Sequence, residues 1–348
     1  MDDTQRLIQY LSDQGASDEE IAEAARTGTL GPLGLELALR PPGESVTFGE
    51  AAARAGLTVE DAAVMWRALG FPDPRASRAS LGPRQVKTLE VLAEMTRSQL
   101  GPETALRLLR VLGSSVAQLA EAIVDSFRVK VEMPRRDRGE PVSEVVEDYS
   151  RVAAAMLPAL TEVIGDVLIG HLLAVSRSSW ALDEQRTTVT RELTVGFADL
   201  VDYTRSARLL APAELAGAVD RFEACVADVV ARHGGRVVKL IGDEAMFVLD
   251  DPSQACALAT ELIGELRHDR TLPQVRVGLA AGPVVSHQGD YYGDVVNLAA
   301  RLVKAAEPGT VLVSEQVARC GSPGHTTDPV ETGQLKGYDA PARVYRLA

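Results

Sequence analysis

The chain has 348 residues, of which 46% are hydrophobic and 24% are charged, which is typical of a water-soluble globular protein with two domains. Its formal net charge of −13 argues against binding to nucleic acid through the phosphates, since that affinity comes largely from Lys and Arg. The three cysteines lie far apart, which argues against a disulfide framework or a structural metal site and favours a reducing, cytoplasmic location.

The first residues of the chain, MDDTQRLIQY, lack the basic-then-apolar layout of a signal peptide. The following sequence predicts helices throughout residues 1–179. Ser17 to Glu20 form a capping box that opens a helix, and long helical patterns cover Pro102–Phe127 and Val142–Val175. The segment Met133–Pro141 between these two patterns is predicted to be a loop.

The most apolar run of the chain is PALTEVIGDVLIGHLLAV, residues Pro158–Val175. It contains Glu162, Asp166 and His171, which are costly inside a bilayer. The run is therefore predicted to be a buried helix and not a transmembrane segment.

Residues 46–74, VTFGEAAARAGLTVEDAAVMWRALGFPDP, predict two short helices around Gly56 and resemble the helix-turn-helix of MerR-type proteins. A DNA-reading helix presents basic or polar side chains to the groove. Here the second helix presents Glu60 and Asp61, and only Arg67 is basic. We therefore predict a helix-turn-helix scaffold without DNA function, and keep a non-catalytic or DNA-binding regulator as an alternative.

After a connecting segment at residues 180–190, apolar strands alternate with helices from residue 191 to residue 348. The order β-α-ββ-α-β predicts a ferredoxin-like domain, so the whole chain is an α+β protein with an all-α N-terminal domain. The predicted elements are a strand at Leu193–Leu200, a helix at Ala213–His233, a hairpin at Arg236–Asp250, a helix at Ser253–His268, a strand at Val275–Ser286, a helix at Val295–Ala306, and strands at Thr310–Ser314 and Arg343–Leu347.

Three polar residues interrupt the apolar patterns of this second half. Asp199 stands at the end of the strand GFADL, Asp243 stands at the hairpin turn, and Lys239 stands inside a strand that is predicted to be buried. Two carboxylates on rigid backbone could bind Mg²⁺ or Mn²⁺ through oxygen. Taken alone, an aspartate at the end of a strand is more often a turn former or a helix cap.

Two further signals lie near the C-terminus. Asn297 and Arg301 are four residues apart on a predicted helix and therefore share one face. Lys336 precedes a glycine on a predicted hairpin loop. Each of these features, taken singly, is typical of an ordinary solvated surface.

Together, these segments resemble the catalytic domain of class III nucleotidyl cyclases, over Arg191–Ala348. The matching segments, in order, are GFADLVDYT, RVVKLIGDEAMFV, HQGDYYGDVVNLAARL and QLKGY. Four matches at suitable separations are far more specific than any one of them.

The resemblance implies a role for each matching residue. Two Mg²⁺ or Mn²⁺ ions per site would be bound by Asp199, Asp243 and the carbonyl of Leu200. The implied substrate contacts are Lys239 and Asp290 to the base, Asn297 to the ribose, Arg301 to the transition state, and Lys336 to the terminal phosphates. In this family the metal aspartates of one subunit face the base-reading residues of another, which implies a homodimer with composite sites.

The two base-reading residues favour adenine. A lysine only donates and an ionised aspartate only accepts hydrogen bonds, which suits the N1 acceptor and N6 donor of adenine and opposes guanine at both edges. The predicted activity is therefore adenylyl cyclase, converting ATP to 3′,5′-cyclic AMP and pyrophosphate in cAMP signal transduction. Guanylyl cyclase and diguanylate cyclase are the alternatives, the latter because IGDEAM partly resembles a GGDEF turn. Gly282-Pro283-Val284 departs from a GRV segment that often supplies a phosphate-binding arginine.

The N-terminal half also resembles, more diffusely, the helical regulatory domain of some soluble actinobacterial cyclases. This resemblance implies that residues 1–179 regulate and dimerise the enzyme, with Ser176–Thr188 as a connecting switch. A proton acting at His171 and a lipid-like molecule are the candidate effectors. The ordinary interpretation of His171 is a packed helix residue.

Overall fold

A computed structural model describes residues 2–74, 80–180, 190–201, 203, 211–269, 271–320, 324–331 and 343–348. The chain divides into two compact units, Met1–Leu182 and Asp183–Ala348. Lys336 and most of the predicted connecting segment, residues 181–189, lie outside the described residues.

The first unit begins with three helices that share one small core, and capping boxes at Asp2 and Ser17 open the first two of them. Leu7, Leu11, Ile21 and Leu33 form most of this core. The helices are α1 (Asp3–Asp13), α2 (Asp18–Thr27) and α3 (Leu30–Leu39).

A second core of the first unit contains the helix-turn-helix-like segment. Strand β1 (Val46–Thr47) pairs with β2 (Ser80–Leu81), and α4 (Phe48–Arg54), α5 (Val59–Ala68) and α6 (Pro83–Arg97) pack beside them. On α5, Arg67 forms ion pairs with Asp73 at 2.9 Å and with Glu60 at 3.9 Å. The one basic side chain of this helix is therefore already neutralised, which argues further against DNA recognition.

Two long helices complete the first unit: α7 (Gly101–Phe127) and α9 (Val142–Trp180). The predicted loop between them is wrong in part, because a π-helical turn (Arg128–Glu132) and the short helix α8 (Met133–Asp137) continue the helical backbone. Pro134 stands at the second position of α8, directly after the π-helical turn, and the helical backbone continues through it.

Helix α9 covers the apolar run that was predicted to be a buried helix. The helix is confirmed, but within one chain it is not buried: Leu168 is 55% and Leu172 60% exposed. Its N-terminus is fixed by Asp3 of α1, which accepts hydrogen bonds from the N–H groups of Val142 and Ser143 at 2.7 and 3.2 Å. Val145 and Val146 near this end are buried, whereas between Val163 and Val175 the helix exposes its apolar side chains to solvent.

The second unit contains the predicted βαββαβ order, which is confirmed. The sheet order is β4-β5-β3-β6-β8-β10-β9, with β7 paired to β6. Its elements are β3 (Thr190–Leu200), α10 (Pro212–Arg232), β4 (Arg236–Ile241), β5 (Glu244–Leu249), α11 (Pro252–His268), β6 (Val275–His287), β7 (Asp290–Tyr292), α12 (Asp294–Ala305), β8 (Val311–Ser314), α13 (Glu315–Cys320), β9 (Thr327–Val330) and β10 (Val344–Leu347).

Side chains of the central strand β3 alternate between the two faces of the sheet, as the pleat requires. Ala198 and Leu200 join the core beneath α10 and α11, whereas Val195 and Phe197 join the core beneath α12. By the same alternation Asp199 belongs to the α12 face. A buried central strand therefore carries one carboxylate into the layer between the sheet and α12.

Helix α12 lies unusually close to the sheet at Gly278 of β6. A Cβ atom at Gly278 would stand 2.3 Å from the backbone nitrogen of Val303 and 2.6 Å from the carbonyl oxygen of Ala299. Only glycine allows this approach. The contact fixes the position of α12, and with it Asn297, Arg301 and Lys304, relative to β3.

Candidate active site

Asp199 is the most deeply buried carboxylate of the sheet, with 3% of its surface exposed. It lies one residue before the end of β3, opposite Glu244 of β5 on one side and Arg276 of β6 on the other. A buried charge requires compensation by charge and hydrogen bonds. Its neighbours provide that compensation.

Two cations share the carboxylate of Asp199. Arg276 donates to Oδ2 from Nε at 2.8 Å and from Nη2 at 2.6 Å. Lys304, on the last turn of α12, donates to Oδ1 from Nζ at 2.6 Å. Both oxygens of the carboxylate are therefore occupied by protein cations.

Lys304 also connects Asp199 to a second acidic residue. Its ammonium lies 2.5 Å from Oε2 of Glu244. Burial lowers the pKa of Lys304, but the hydrogen bonds and charges of Asp199 and Glu244 outweigh that effect and raise the pKa above its ordinary value. The ammonium is thus held in its charged form between two carboxylates.

Asp243 lies half-buried at the turn between β4 and β5, as predicted. The turn depends on Gly242, whose φ of 64° is left-handed. The backbone N–H of Leu200 donates to the carbonyl oxygen of Asp243 at 3.0 Å, which brings this turn beside the end of β3. Burial first, and the charge of Asp243 second, raise the pKa of Tyr203, so the carboxylate of Asp243 lies near that phenol.

The two residues predicted to read the base contact one another. Nζ of Lys239 lies 2.5 Å from Oδ2 of Asp290, while Oδ1 of Asp290 accepts from the N–H of Tyr291 at 2.8 Å. Beside them, Arg236 donates to the hydroxyl of Tyr291 at 2.9 Å. Strand β7 therefore lies against β4, so residues 51 positions apart form one polar group.

The expectation that Lys239 is buried is wrong. Strand β4 is the edge of the sheet, its side chains are half-buried or exposed, and the Lys239 side chain is 39% exposed. A β-bulge between Val237 and Lys239 shifts the register against β5. The apolar composition of β4 therefore reflects an edge strand that is only partly covered, since Val237 and Val238 pack against the two cores while Leu240 and Ile241 are exposed.

Asn297 and Arg301 occupy successive turns of α12, as the sequence predicts. Asn297 is exposed and Arg301 is half-buried. Lys336 was predicted to contact phosphate and lies outside the described residues.

The acidic residues at the end of β3 suit a divalent metal ion in their chemistry, although a protein cation stands among them. Mg²⁺ and Mn²⁺ prefer carboxylate and carbonyl oxygen, which Asp199, Asp243 and the Leu200 carbonyl offer. The Lys304 ammonium between two carboxylates shows that a cation is accommodated there. Within the described ranges, no group of three or more His, Cys, Asp or Glu side chains is close enough to bind a metal ion. The site therefore fits a divalent metal ion once the ammonium of Lys304 has moved away from Asp199 and Glu244.

Three neighbours of Asp199 were missed by sequence reasoning: Glu244, Arg276 and Lys304. Glu244 and Arg276 could have been found from the pairing register of the strands, because both lie directly opposite Asp199. Lys304 stands three residues after Arg301, on the same helix as two predicted site residues. Only the sheet-to-helix packing shows that it reaches the carboxylates.

The chain is similar in sequence to known nucleotide cyclases. Residues 186–348 match the family of the adenylate and guanylate cyclase catalytic domain. An adenylate cyclase of Streptomyces coelicolor is 37% identical over 270 residues, which cover 77% of this chain and 70% of that protein.

Two mycobacterial relatives extend over almost the whole chain. An uncharacterised protein of Mycobacterium tuberculosis is 34% identical over 344 residues, covering 98% of this chain and 89% of that protein. A pH-sensitive adenylate cyclase of the same species is 24% identical over 357 aligned residues, covering 98% of this chain and 87% of that protein. The relation therefore includes the helical first half. From the catalytic-domain match and the Streptomyces relative together, the chain belongs to the class III nucleotidyl cyclase family.

Proposed function

We propose that the protein is an adenylyl cyclase that converts ATP to 3′,5′-cyclic AMP and pyrophosphate. The observation that carries the proposal is the contact between Lys239 and Asp290, because this pair offers one donor and one acceptor side by side. Adenine presents the complementary acceptor and donor at N1 and N6, and guanine presents the reverse. The Streptomyces relative that bears the name adenylate cyclase supports the same choice. Membership of the class III family argues against the diguanylate cyclase alternative.

The reaction is an in-line attack of the ribose 3′-oxygen on the α-phosphorus. Lys239 and Asp290 hold the base, and Asn297 orients the ribose so that the 3′-oxygen faces the phosphorus. Arg301 supplies fixed positive charge where negative charge develops in the transition state. Lys336 is assigned the terminal phosphates by the family resemblance alone. No covalent nucleophile of the protein is required.

The metal assignment belongs to the same proposal. Asp199, Asp243 and the Leu200 carbonyl would hold two Mg²⁺ or Mn²⁺ ions, whose charge, when bound, would lower the pKa of the 3′-hydroxyl and stabilise the pyrophosphate leaving group. Pro283 stands where related domains often have a phosphate-binding arginine. Binding of the phosphates would therefore depend more on the other cations of the site.

Composite sites in a homodimer are the assembly that this residue set favours. One chain contains both the carboxylates at the end of β3 and the Asn297–Arg301 face of α12, so two chains complete two sites. The test is complementation between Asp199→Ala and Arg301→Ala, each nearly inactive as a homodimer. After demonstrated subunit exchange, the mixture regains up to about a quarter of wild-type activity, since half of the dimers hold one intact site out of two. Heterodimers without activity would contradict shared sites.

The exposed apolar faces of α7 and α9 support a dimer that also involves the first unit. Leu112 and Val116 of α7, with Leu168 and Leu172 of α9, are between 47% and 60% exposed. By length and composition alone, residues Val142–Arg177 could also cross a membrane, although a single such helix is weak evidence. Glu162, Asp166 and His171 on α9 favour contact with a second chain in the cytoplasm. Replacing Leu168 and Leu172 by Gln should convert a dimer to monomers in analytical ultracentrifugation.

Regulation by the first unit is the remaining part of the proposal. The pH-sensitive adenylate cyclase among the relatives matches this chain over both halves, which supports a proton as effector. His171 is exposed on α9, in the apolar face assigned to the dimer, and a lipid-like molecule would suit the same face. The pH–activity profile of the full chain should differ in shape from those of His171→Ala and of residues 191–348, and identical curves would contradict proton sensing through the first unit.

Product analysis tests the activity itself. The full chain, supplied with ATP or GTP and Mn²⁺, should form cyclic AMP at least about tenfold faster than cyclic GMP. Lys239→Glu combined with Asp290→Cys should reduce kcat/KM for ATP, because both contacts to adenine are lost. The ratio of the rates with ATP and GTP should therefore fall. Unchanged ATP preference in an active double variant would remove the pair from base recognition, and cyclic GMP as the main wild-type product would support guanylyl cyclase.

A further inference from the structure

The two cations at Asp199 differ in how firmly the fold holds them. Arg276 is 20% exposed in its side chain, donates twice to Oδ2 of Asp199, and also donates from Nη1 to the backbone carbonyl of Lys304 at 3.1 Å. Three hydrogen bonds to groups on two elements fix the guanidinium plane. Arg276 is therefore a permanent counter-ion, and Oδ2 stays occupied.

Lys304 is held much less firmly. Its side chain is 54% exposed, and among the residues that the structure describes its ammonium contacts two carboxylate oxygens, Oδ1 of Asp199 and Oε2 of Glu244. A lysine side chain is a flexible four-carbon stem that ends in a strongly hydrated point charge. It can therefore rotate to solvent without disturbing α12. Of the two carboxylate oxygens of Asp199, Oδ1 is the one that can be vacated.

The charges explain why a cation belongs at this position. Asp199 and Glu244 lie opposite each other on neighbouring strands, where like charges are destabilising. Arg276 balances one negative charge, and Lys304 balances the second. Removing Lys304 alone leaves a net negative charge beside Oδ1. That charge attracts a divalent ion more strongly than the neutral cluster does.

We propose that Lys304 is a built-in competitor for the catalytic metal. Its ammonium occupies Oδ1 of Asp199 in the metal-free protein, leaves when a divalent ion binds, and thereby weakens the metal affinity of the site. The inference rests on the metal assignment in the proposed function and adds a residue to which the family resemblance gives no role. Lys304 is a positioning residue, since it acts through Asp199 and not on the substrate.

The alternative is that Lys304 forms an ordinary stabilising ion pair. The two interpretations differ in their response to metal. If Lys304 only stabilises the fold, Lys304→Met lowers the unfolding temperature equally with and without Mn²⁺. If Lys304 competes with metal, the loss is largest without Mn²⁺ and shrinks or reverses as Mn²⁺ is added.

The test is a Mn²⁺ titration of the full chain without nucleotide, followed by the electron paramagnetic resonance signal of free Mn²⁺ and by thermal unfolding. Lys304→Met should bind Mn²⁺ about 5- to 30-fold more tightly than wild type, the factor expected from one or two partly exposed ion pairs. Lys304→Arg retains the charge and should bind close to wild type. Lys87→Met is the matched control, because it removes an equal charge from an exposed ion pair with Glu90 on α6.

Asp199→Asn separates the two ways in which the inference can fail. If wild type binds Mn²⁺ in an Asp199-dependent manner and Lys304→Met binds no more tightly, competition by Lys304 is overturned and the metal assignment stands. If neither wild type nor Lys304→Met shows Asp199-dependent binding, the metal assignment fails and the inference fails with it. Tighter binding in Lys304→Met that disappears with Asp199→Asn supports both.

Discussion

The two polar clusters on the α12 face of the sheet contrast in burial. Around Asp199, a carboxylate with 3% exposure is enclosed by Arg276 and Lys304. The Lys239–Asp290 pair lies at the edge strand, with side-chain exposures of 39% and 25%. The Asp199–Arg276 pair is part of the folded core, whereas Lys304, with a side-chain exposure of 54%, and the Lys239–Asp290 pair lie at the surface.

This difference in burial predicts that the two clusters contribute differently to the stability of the domain. Breaking a buried ion pair leaves an uncompensated charge and costs about 3–5 kcal/mol, whereas an exposed pair contributes about 0–1 kcal/mol. The Asp199 cluster therefore stabilises the fold with the same atoms that are proposed to bind metal. The Lys239–Asp290 pair can open to a base with little effect on stability, which suits a specificity element.

The largest expected effect follows replacement of Asp199. Asp199→Ala should reduce cyclase activity at least about a thousandfold, and lower the free energy of unfolding by about 3 kcal/mol because Arg276 loses its partner. Asp243→Ala should reduce activity as strongly but stability by less than about 1 kcal/mol, since Asp243 is half-buried at a turn. Urea denaturation and product assays measure both. Equal stability losses in the two variants would contradict the contrast between a core and a surface carboxylate.

The next effect concerns Gly278, which sets the position of α12 above both clusters. Gly278→Ala should destabilise the protein by about 1–3 kcal/mol, because the new methyl group meets helix backbone that cannot rotate away. Gly264→Ala is the matched control. Gly264 lies inside α11, a Cβ atom there would meet no neighbouring element within 4 Å, and alanine is the better helix former. In thermal unfolding, Gly278→Ala should lower the unfolding temperature and Gly264→Ala should raise it. An unchanged unfolding temperature in Gly278→Ala would mean that α12 is free to move.

A smaller effect is expected at the exposed cluster. Lys239→Met should change the free energy of unfolding by less than about 1 kcal/mol, while Arg276→Met should cost several times more. The Met side chain retains most of the apolar stem in both cases, so the comparison isolates the charge. Urea denaturation at low and at high salt measures the loss of stability in each variant. A large loss in Lys239→Met would show that the Lys239–Asp290 pair, proposed to read the base, also belongs to the folding core.

The smallest effect on the proposed site is expected from the cysteines, which have no predicted role. They lie on the helices of the opposite face of the sheet and report on its packing. Burial, and then the nearby Glu265, raise the pKa of Cys225 to about 12, and burial raises the pKa of Cys256 to about 11. At pH 8 both stay protonated, so alkylation should label the exposed Cys320 at least about a hundredfold faster. Because the raised pKa values delay ionisation, labelling of Cys225 should increase as the pH rises towards 11. Rapid labelling of Cys225 at pH 8 would show that α10 opens away from α11.

Much of the fold could be predicted because its signals are local. The strand at Asp199, the helix at Asn297 and Arg301, and the turn at Gly242 follow from periodicity, spacing and backbone freedom within a few residues. The βαββαβ order followed from the sequence of these elements. The loop prediction at Met133–Pro141 failed in part because the helical turn of Arg128–Glu132 continues into α8, and the helix ends only before Gly139, whose φ of 78° is left-handed.

The sequence by itself determined the family. It also predicted the site residues, since each stands in a motif of adjacent residues: Asp199, Asp243, Lys239, Asp290, Asn297 and Arg301. The partners of Asp199 were decided only by the tertiary structure, because Arg276 is 77 and Lys304 105 residues away. The exposure of Lys239 and of α9 was decided in the same way, because composition records how apolar a segment is but not what lies against it. Burial and ion pairing depend on which distant elements meet, and here the approach of α12 to β6 at Gly278 brings Lys304 to Asp199.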